Sequence, residues 1–189
     1  MNRTISAESL GSERQRAASG DGKPLRRRNR SPEVAVGSAD PMGAEATWLL
    51  REMTAEVVRR YSDILDASAP PQTNDPDVAR SAFLIARVDN QPIGCAALRP
   101  LEAEIAEVRR MYVVPSARRR GIGRRLLAEL EGQARQFGYR VLRLETGNRQ
   151  HEALALYKAC GFVRVPPFGK HVGDPVSVCF EKKLPDAQG

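Results

Sequence analysis

Apolar positions along this chain recur in two rhythms, one close to every second residue and one close to every third or fourth. From Glu33 the stretch EVAVG has the form of a short first strand. GAEATWLLREMTAEVVRRYSDIL then sets Trp48, Leu49, Met53, Val57, Tyr61, Ile64 and Leu65 at helical spacing, which predicts one long or broken amphipathic helix. The prolines and Asx residues of APPQTNDPD, residues 69 to 77, mark a loop. SAFLIARV and PIGCAALRP read as strands joined into a hairpin by the turn DNQ, and IAEVRRMYVV as a further strand that ends at Pro115. Ile122, Leu126, Leu127, Leu130, Ala134 and Phe137 form the apolar stripe of a helix, with Ser116 as its expected cap and Gly138 as its stop. YRVLRLET predicts a strand, QHEALALYKAC a helix ended by Gly161, and PVSVCFEKKL a last strand. Strands and helices in this order predict an α/β fold built on a sheet of mixed strand directions.

Composition narrows the class. The chain has 189 residues and is 41% hydrophobic, enough for one domain with a real core. Residues 1 to 32 are rich in Ser, Gly and Arg without apolar periodicity and read as a disordered basic tail, which leaves residues 33 to 184 as the domain and 185 to 189 as a short C-terminal tail. No apolar run approaches the length of a membrane span and the amino terminus has no secretory core, so a soluble, cytoplasmic protein is expected. Cys95, Cys160 and Cys179 stand far apart with no CxxC pattern and no Cys/His cluster, so buried thiols are expected rather than a metal site or a disulfide framework.

The charge is local. Residues 105 to 143 carry ten arginines against three acids, a surplus equal to the net +7 of the whole chain. That favours one anion site over a diffuse nucleic-acid surface, and with 5% aromatic residues and no stacking motif a nucleic-acid role is disfavoured. A non-catalytic basic module that binds nucleic acid or coenzyme A is the reading from another class. The focus of the charge is RRRGIGRR, residues 118 to 125, at the start of the Leu126 helix. A strand, a basic glycine turn and a helix start together offer free N–H groups and the positive helix end, while glycine removes the Cβ atoms that would keep an anion away. No Gly-Lys-Ser/Thr follows, and Leu126 stands where a dinucleotide fingerprint has its third glycine, so another pyrophosphate is the better fit.

The turn Arg118-Arg119-Arg120-Gly121-Ile122-Gly123, preceded by EVRRMYVVP and followed by ETG and then ALYKACGF, resembles the GNAT superfamily of acetyl-coenzyme-A-dependent N-acetyltransferases. In element order the likeness covers residues 33 to 184. It implies a mixed, mostly antiparallel central sheet of six or seven strands flanked by about four helices, with acetyl-CoA as cosubstrate and no metal. It also implies that Arg118, Arg119, Arg120, Gly121, Ile122, Gly123, Arg124 and Arg125 cradle the pyrophosphate, while Met111, Tyr112 and Val113 offer their backbone to the pantetheine arm. Many members have an asparagine seven residues before the helix tyrosine; Gln150 takes that place here, with Asn148 as a neighbouring alternative. Domains of this kind often form homodimers.

Transfer to an amine needs its free base, and a lysine-like amine reaches that form at pH 7 at a cost of about 4.6 kcal/mol. A base must therefore assist. Glu107, fourteen residues before Gly121, matches the strand glutamate that serves as base in histone-type members, the alternative being an ion pair with Arg109 or Arg110. Tyr157, four residues before the GF pair, matches the tyrosine that protonates the departing thiolate, the alternative being a packed aromatic. Glu145 and His171 are candidates for the acceptor side. Acetylation of a small-molecule amine by direct attack is the expected function, and acetylation of a protein lysine or N-terminal amine is the alternative.

Overall fold

The computed structural model describes residues 33 to 64 and 78 to 185. The basic tail of residues 1 to 32, Leu65, the loop of residues 69 to 77 and residues 186 to 189 lie outside the described residues. The chain order is β1 (Val34–Ser38), α1 (Ala44–Arg60), β2 (Ala82–Val88), β3 (Gln91–Pro100), β4 (Ile105–Val113), α2 (Ile122–Gln136), β5 (Val141–Gly147), α3 (His151–Ala159), β6 (Val163–Val165) and β7 (Ser177–Lys183). Short 3₁₀ turns occupy Pro115–Ala117 and Gly169–His171. The seven strands form one sheet in the order β1-β2-β3-β4-β5-β7-β6.

Every neighbouring pair is antiparallel except β4 with β5. A parallel pair needs a long crossover, and α2 supplies it. Ile122, Leu126, Leu127, Leu130 and Ala134 of α2 are buried, and each such leucine contributes about 2 kcal/mol of apolar burial. Gly94 through Leu98 of β3 are buried without a break, so both faces of the sheet are covered there, and α1 and α2 are the helices packed on it. In β5 the pattern alternates: Leu142, Leu144 and Thr146 are buried, while Arg143 and Glu145 on the other face are half-buried.

Among the described residues there are three α-helices, and the segment expected to run as one long or broken helix to Leu65 is helical from Ala44 to Arg60 and turns through residues 61 to 64. Two expectations are corrected. Ser116 does not cap α2. It lies within the 3₁₀ turn, and Gly121 with φ +77° occupies the cap. Trp48 and Ile64, counted into the apolar stripe with Leu49 and Tyr61, are exposed, whereas Leu49 and Tyr61 are buried as expected and Leu50, left out of the stripe, is buried too. Seven strands fall within the expected range. Cys95 and Cys179 are buried, Cys160 is half-buried, and all three are free thiols.

Candidate active site

The site is made by two strands that part. β4 and β5 pair only from Ile105 with Val141 to Val108 with Leu144, although β4 runs on to Val113 and β5 to Gly147. Beyond Val108 the facing backbone edges are left without a strand partner on that side. A bulge adds to the divergence: Tyr112 pairs with Cys95 and Arg109 with Ala97, so Arg110 and Met111 together face Ala96. Arg110 takes φ +57°, in the left-handed region, and the Cys95 thiol donates to its carbonyl at 3.3 Å. Burial pushes that thiol up to about 12. The parted strands open a cleft of about 1170 Å³ that runs from the turn after β4 to Lys170 and His171.

At the first end, Arg119 with φ +59° and Gly121 with φ +77° curl the chain so that successive N–H groups converge. Among the described residues no backbone acceptor meets the N–H groups of residues 119 to 124. No Cβ placed on Gly121 would meet anything within 4 Å, and that turn faces open space. Arg119, Gly121, Ile122, Gly123 and Arg124 line the cleft, whereas Arg120 and Arg125 are exposed outside it. Arg118 is occupied otherwise. Its Nε donates to the Val113 carbonyl at 2.9 Å and its Nη2 to the Glu56 carboxylate, and its guanidinium lies 5.7 Å from the centre of the Tyr112 ring. It ties the turn to α1. Met111, Tyr112 and Val113 line the middle of the cleft.

Tyr157, on α3, is buried between Phe162 and Phe180, with ring centres 5.9 and 6.0 Å away. Its hydroxyl has no hydrogen-bond partner among the described residues, and the residue lines the cleft. Burial, and secondarily the Glu145 charge, push its phenol above the ordinary tyrosine range. Gln150 also lines the cleft where α3 starts, but Asn148 is exposed and outside it, its N–H held by the Val176 carbonyl at 2.8 Å.

The second end is ionic. Glu107 is only 4% exposed, and Oε2 of its carboxylate accepts from Arg99 Nε at 2.7 Å and lies 2.6 Å from Arg99 Nη2. Arg99 is directly opposite Glu107 on β3, so the ion pair anticipated with Arg109 or Arg110 is made chiefly with a residue that sequence reading missed. Arg109 Nε stands 3.9 Å from the other oxygen. The register continues the row: Glu107 faces Arg143 on β5, and Arg143 faces Glu181 on β7, which it contacts at 2.9 Å. Alternating charges placed opposite one another stabilise the cross-strand register. One step further along β5, Glu145 Oε1 accepts from the Ser177 hydroxyl at 2.7 Å, and Glu145 Oε2 lies 3.9 Å from His171 Nδ1. Asp174 holds the same hydroxyl at 3.0 Å and lies in its own loop. Glu107, Glu145 and His171 thus line the same cleft as Tyr157 and the turn.

A clasp ties the end of α1 to the end of β5. Tyr61, just past α1, accepts the Arg149 N–H at 2.8 Å, and Arg149 grips Asp63 with two bonds of 2.6 and 2.8 Å. A Cβ on Gly147 would stand 2.1 Å from the Tyr61 hydroxyl, so only glycine lets the two segments meet. Gly147→Ala should displace Tyr61 and lower stability by about 2 kcal/mol. Thermal unfolding measures this, and an unchanged Tm would show that the contact carries no stability.

No group of three or more His, Cys, Asp or Glu that could hold a metal ion occurs among the described residues. No helix among them is long and apolar enough to cross a membrane. The family model described as acetyltransferase (GNAT) family matches residues 47–162. An IAA acetyltransferase of Azospirillum brasilense is 35% identical over 81% of this chain and 99% of its own length. The crystal structure of a candidate acyl-CoA N-acyltransferase from Klebsiella pneumoniae superposes with a TM-score of 0.66 at 33% identity, covering 80% of this chain and 97% of the other. A GNAT family acetyltransferase from Elizabethkingia anophelis, solved with acetyl-CoA bound, superposes with a TM-score of 0.55 at 19% identity over 80% of this chain and 98% of its own, a likeness of fold.

Proposed function

This chain belongs to the acetyltransferase (GNAT) family and is an acyltransferase, and from that premise we propose that it moves acetyl from acetyl-CoA to the primary amine of a small molecule, by direct attack in a ternary complex. The observation that carries the reading is the parting of β4 and β5, which joins the convergent N–H groups at one end of a single cleft to Glu107 and Glu145 at the other. The residues present fit acetyl-CoA. Helix-start N–H groups with Arg119 and Arg124 suit a pyrophosphate, and the unpaired edge of β4 at Met111, Tyr112 and Val113 suits an amide-bearing arm. When bound, acetyl-CoA supplies the activated acetyl group as a thioester.

The chain's own residues hold and move protons. Glu107 takes the proton of the acceptor amine, with Arg99 fixing the position of its carboxylate. Tyr157 keeps a phenolic proton on a hydroxyl with no protein partner among the described residues and delivers it to the departing sulfur. A second reading gives the base role to Glu145, favoured by its chain of contacts through Ser177 to Asp174 and beside His171, a path along which a proton can leave.

Calorimetric titration with acetyl-CoA tests the first half of the reading, with micromolar binding expected; no binding up to millimolar concentration refutes it. A thiol-release screen of amines tests the second half. Glu107→Gln should lower kcat by about a hundredfold on the best acceptor, and a larger loss in Glu145→Gln would transfer the base role to Glu145. Acetylated peptides in a lysate incubation, with no small amine turned over, would favour a protein acceptor.

A further inference from the structure

An acid on the wall of an anion-binding cleft opposes the ligand unless it holds something else in place. Glu56 of α1 lines the cleft, and its carboxylate touches Arg118, the residue that opens the glycine turn. By charge alone it repels a diphosphate arriving there. Its two oxygens are divided between two arginines: Oε1 accepts from Arg60 Nη2 at 3.1 Å and Oε2 accepts from Arg118 Nη2. Arg60 continues to α3, where its Nη1 donates to Glu152 Oε2 at 3.2 Å and to the Arg149 carbonyl at 3.3 Å. Glu152, Arg60, Glu56 and Arg118 thus join the start of α3, the last turns of α1 and the turn before α2, and all four line the cleft.

Arg118 is the link that reaches the ligand site. Its Nε donates to the Val113 carbonyl at the end of β4 at 2.9 Å while Glu56 takes its Nη2, so one guanidinium is bonded to β4 and α1 at once. The next residue, Arg119, holds a left-handed φ of +59°, and from there to residue 124 no backbone acceptor meets the N–H groups among the described residues. A non-glycine residue in that conformation persists only where its surroundings fix it, and the doubly held Arg118 is the fixed point directly before it. We propose that Glu56 is a positioning residue for coenzyme A: by holding Arg118 against the end of β4, it keeps the turn of residues 119 to 124 in the shape that receives the pyrophosphate. This role rests on the acetyl-CoA reading above and assigns part of the affinity for that cosubstrate to α1.

Calorimetric titration with acetyl-CoA, and with S-acetylpantetheine, which lacks the pyrophosphate, tests it. Glu56→Ala is expected to weaken acetyl-CoA binding about tenfold and to lower the preference for acetyl-CoA over S-acetylpantetheine by about the same factor. Glu56→Gln keeps an acceptor but loses the charge, so its loss should be smaller than that of Glu56→Ala. A through-space effect has the opposite sign, because removing a negative charge tightens the binding of an anion. A merely structural role would weaken both ligands alike and leave the preference standing. Tighter or unchanged acetyl-CoA binding, or equal weakening of both ligands, overturns the inference while the acetyl-CoA reading survives. If Glu56→Ala does not fold, Glu56→Gln decides by the same two titrations. The double variant Glu56→Ala with Arg118→Ala should bind within about twofold of Arg118→Ala alone, and losses that multiply would show that Glu56 does not act through Arg118. An unaltered protein that binds no acetyl-CoA overturns both readings.

Discussion

Replacing Tyr157 with Phe is expected to lower kcat by about a hundredfold or more while acetyl-CoA binds as before. The substitution removes one oxygen from a ring that Phe162 and Phe180 hold in place, and that oxygen has no protein partner among the described residues to be orphaned. Packing and the cofactor turn stay as they were, so the loss falls on proton delivery alone. The pH dependence follows from the same burial. With the phenol pushed above its ordinary range, the proton stays on Tyr157 at every pH where a free tyrosine would keep it and beyond, so an alkaline limb due to Tyr157 lies above about pH 10. Stability carries the opposite face of this shift: as pH rises past the ordinary tyrosine value, the unfolded chain releases that proton first and the folded state loses ground. Tyr157→Phe should therefore lose activity yet melt less readily at alkaline pH than the unaltered chain. Single-turnover rates and alkaline melting curves check both, and wild-type turnover in the variant would remove Tyr157 from catalysis.

Gly123→Asp is expected to weaken acetyl-CoA binding by more than about a hundredfold, close to 3 kcal/mol, without unfolding the protein. Gly123 is the second residue of α2, and the N–H groups around it are the ones with no internal acceptor. An aspartate there suits the helix, because its charge complements the positive end of the dipole, so Tm should hold or rise. The same carboxylate would repel the pyrophosphate from the N–H groups it needs. Steric and electrostatic effects separate through Gly123→Ala. In either variant the new Cβ stands 2.9 Å from Leu156 Cδ2, the end of a side chain that can turn, but only the aspartate adds charge. Alanine should therefore cost far less affinity than aspartate. Calorimetry on the three proteins decides it, and binding of Gly123→Asp within about tenfold of the unaltered chain would place the pyrophosphate elsewhere.

By itself the sequence determined what is decided within a few neighbouring residues. The period of apolar positions predicted the long strands and the three α-helices among the described residues, because burying one face imposes that period whatever lies opposite. The turn at Arg118 to Gly123 was legible because glycine at a left-handed φ and a helix start without internal acceptors are local properties. Val163–Val165 went unread, as three residues are too few to show a period and its place at the sheet edge is given by β7 alone. Only the tertiary structure decided which charges meet. Arg99 reaches Glu107 through the register of the β3–β4 hairpin, and Glu56 reaches Arg118 across the packing of α1, because Coulombic partners are chosen by distance in space. The point where β4 and β5 part, on which the cleft depends, is likewise set by the register of the whole sheet and by the bulge at Arg110, neither of which has a signature in the strand's own residues.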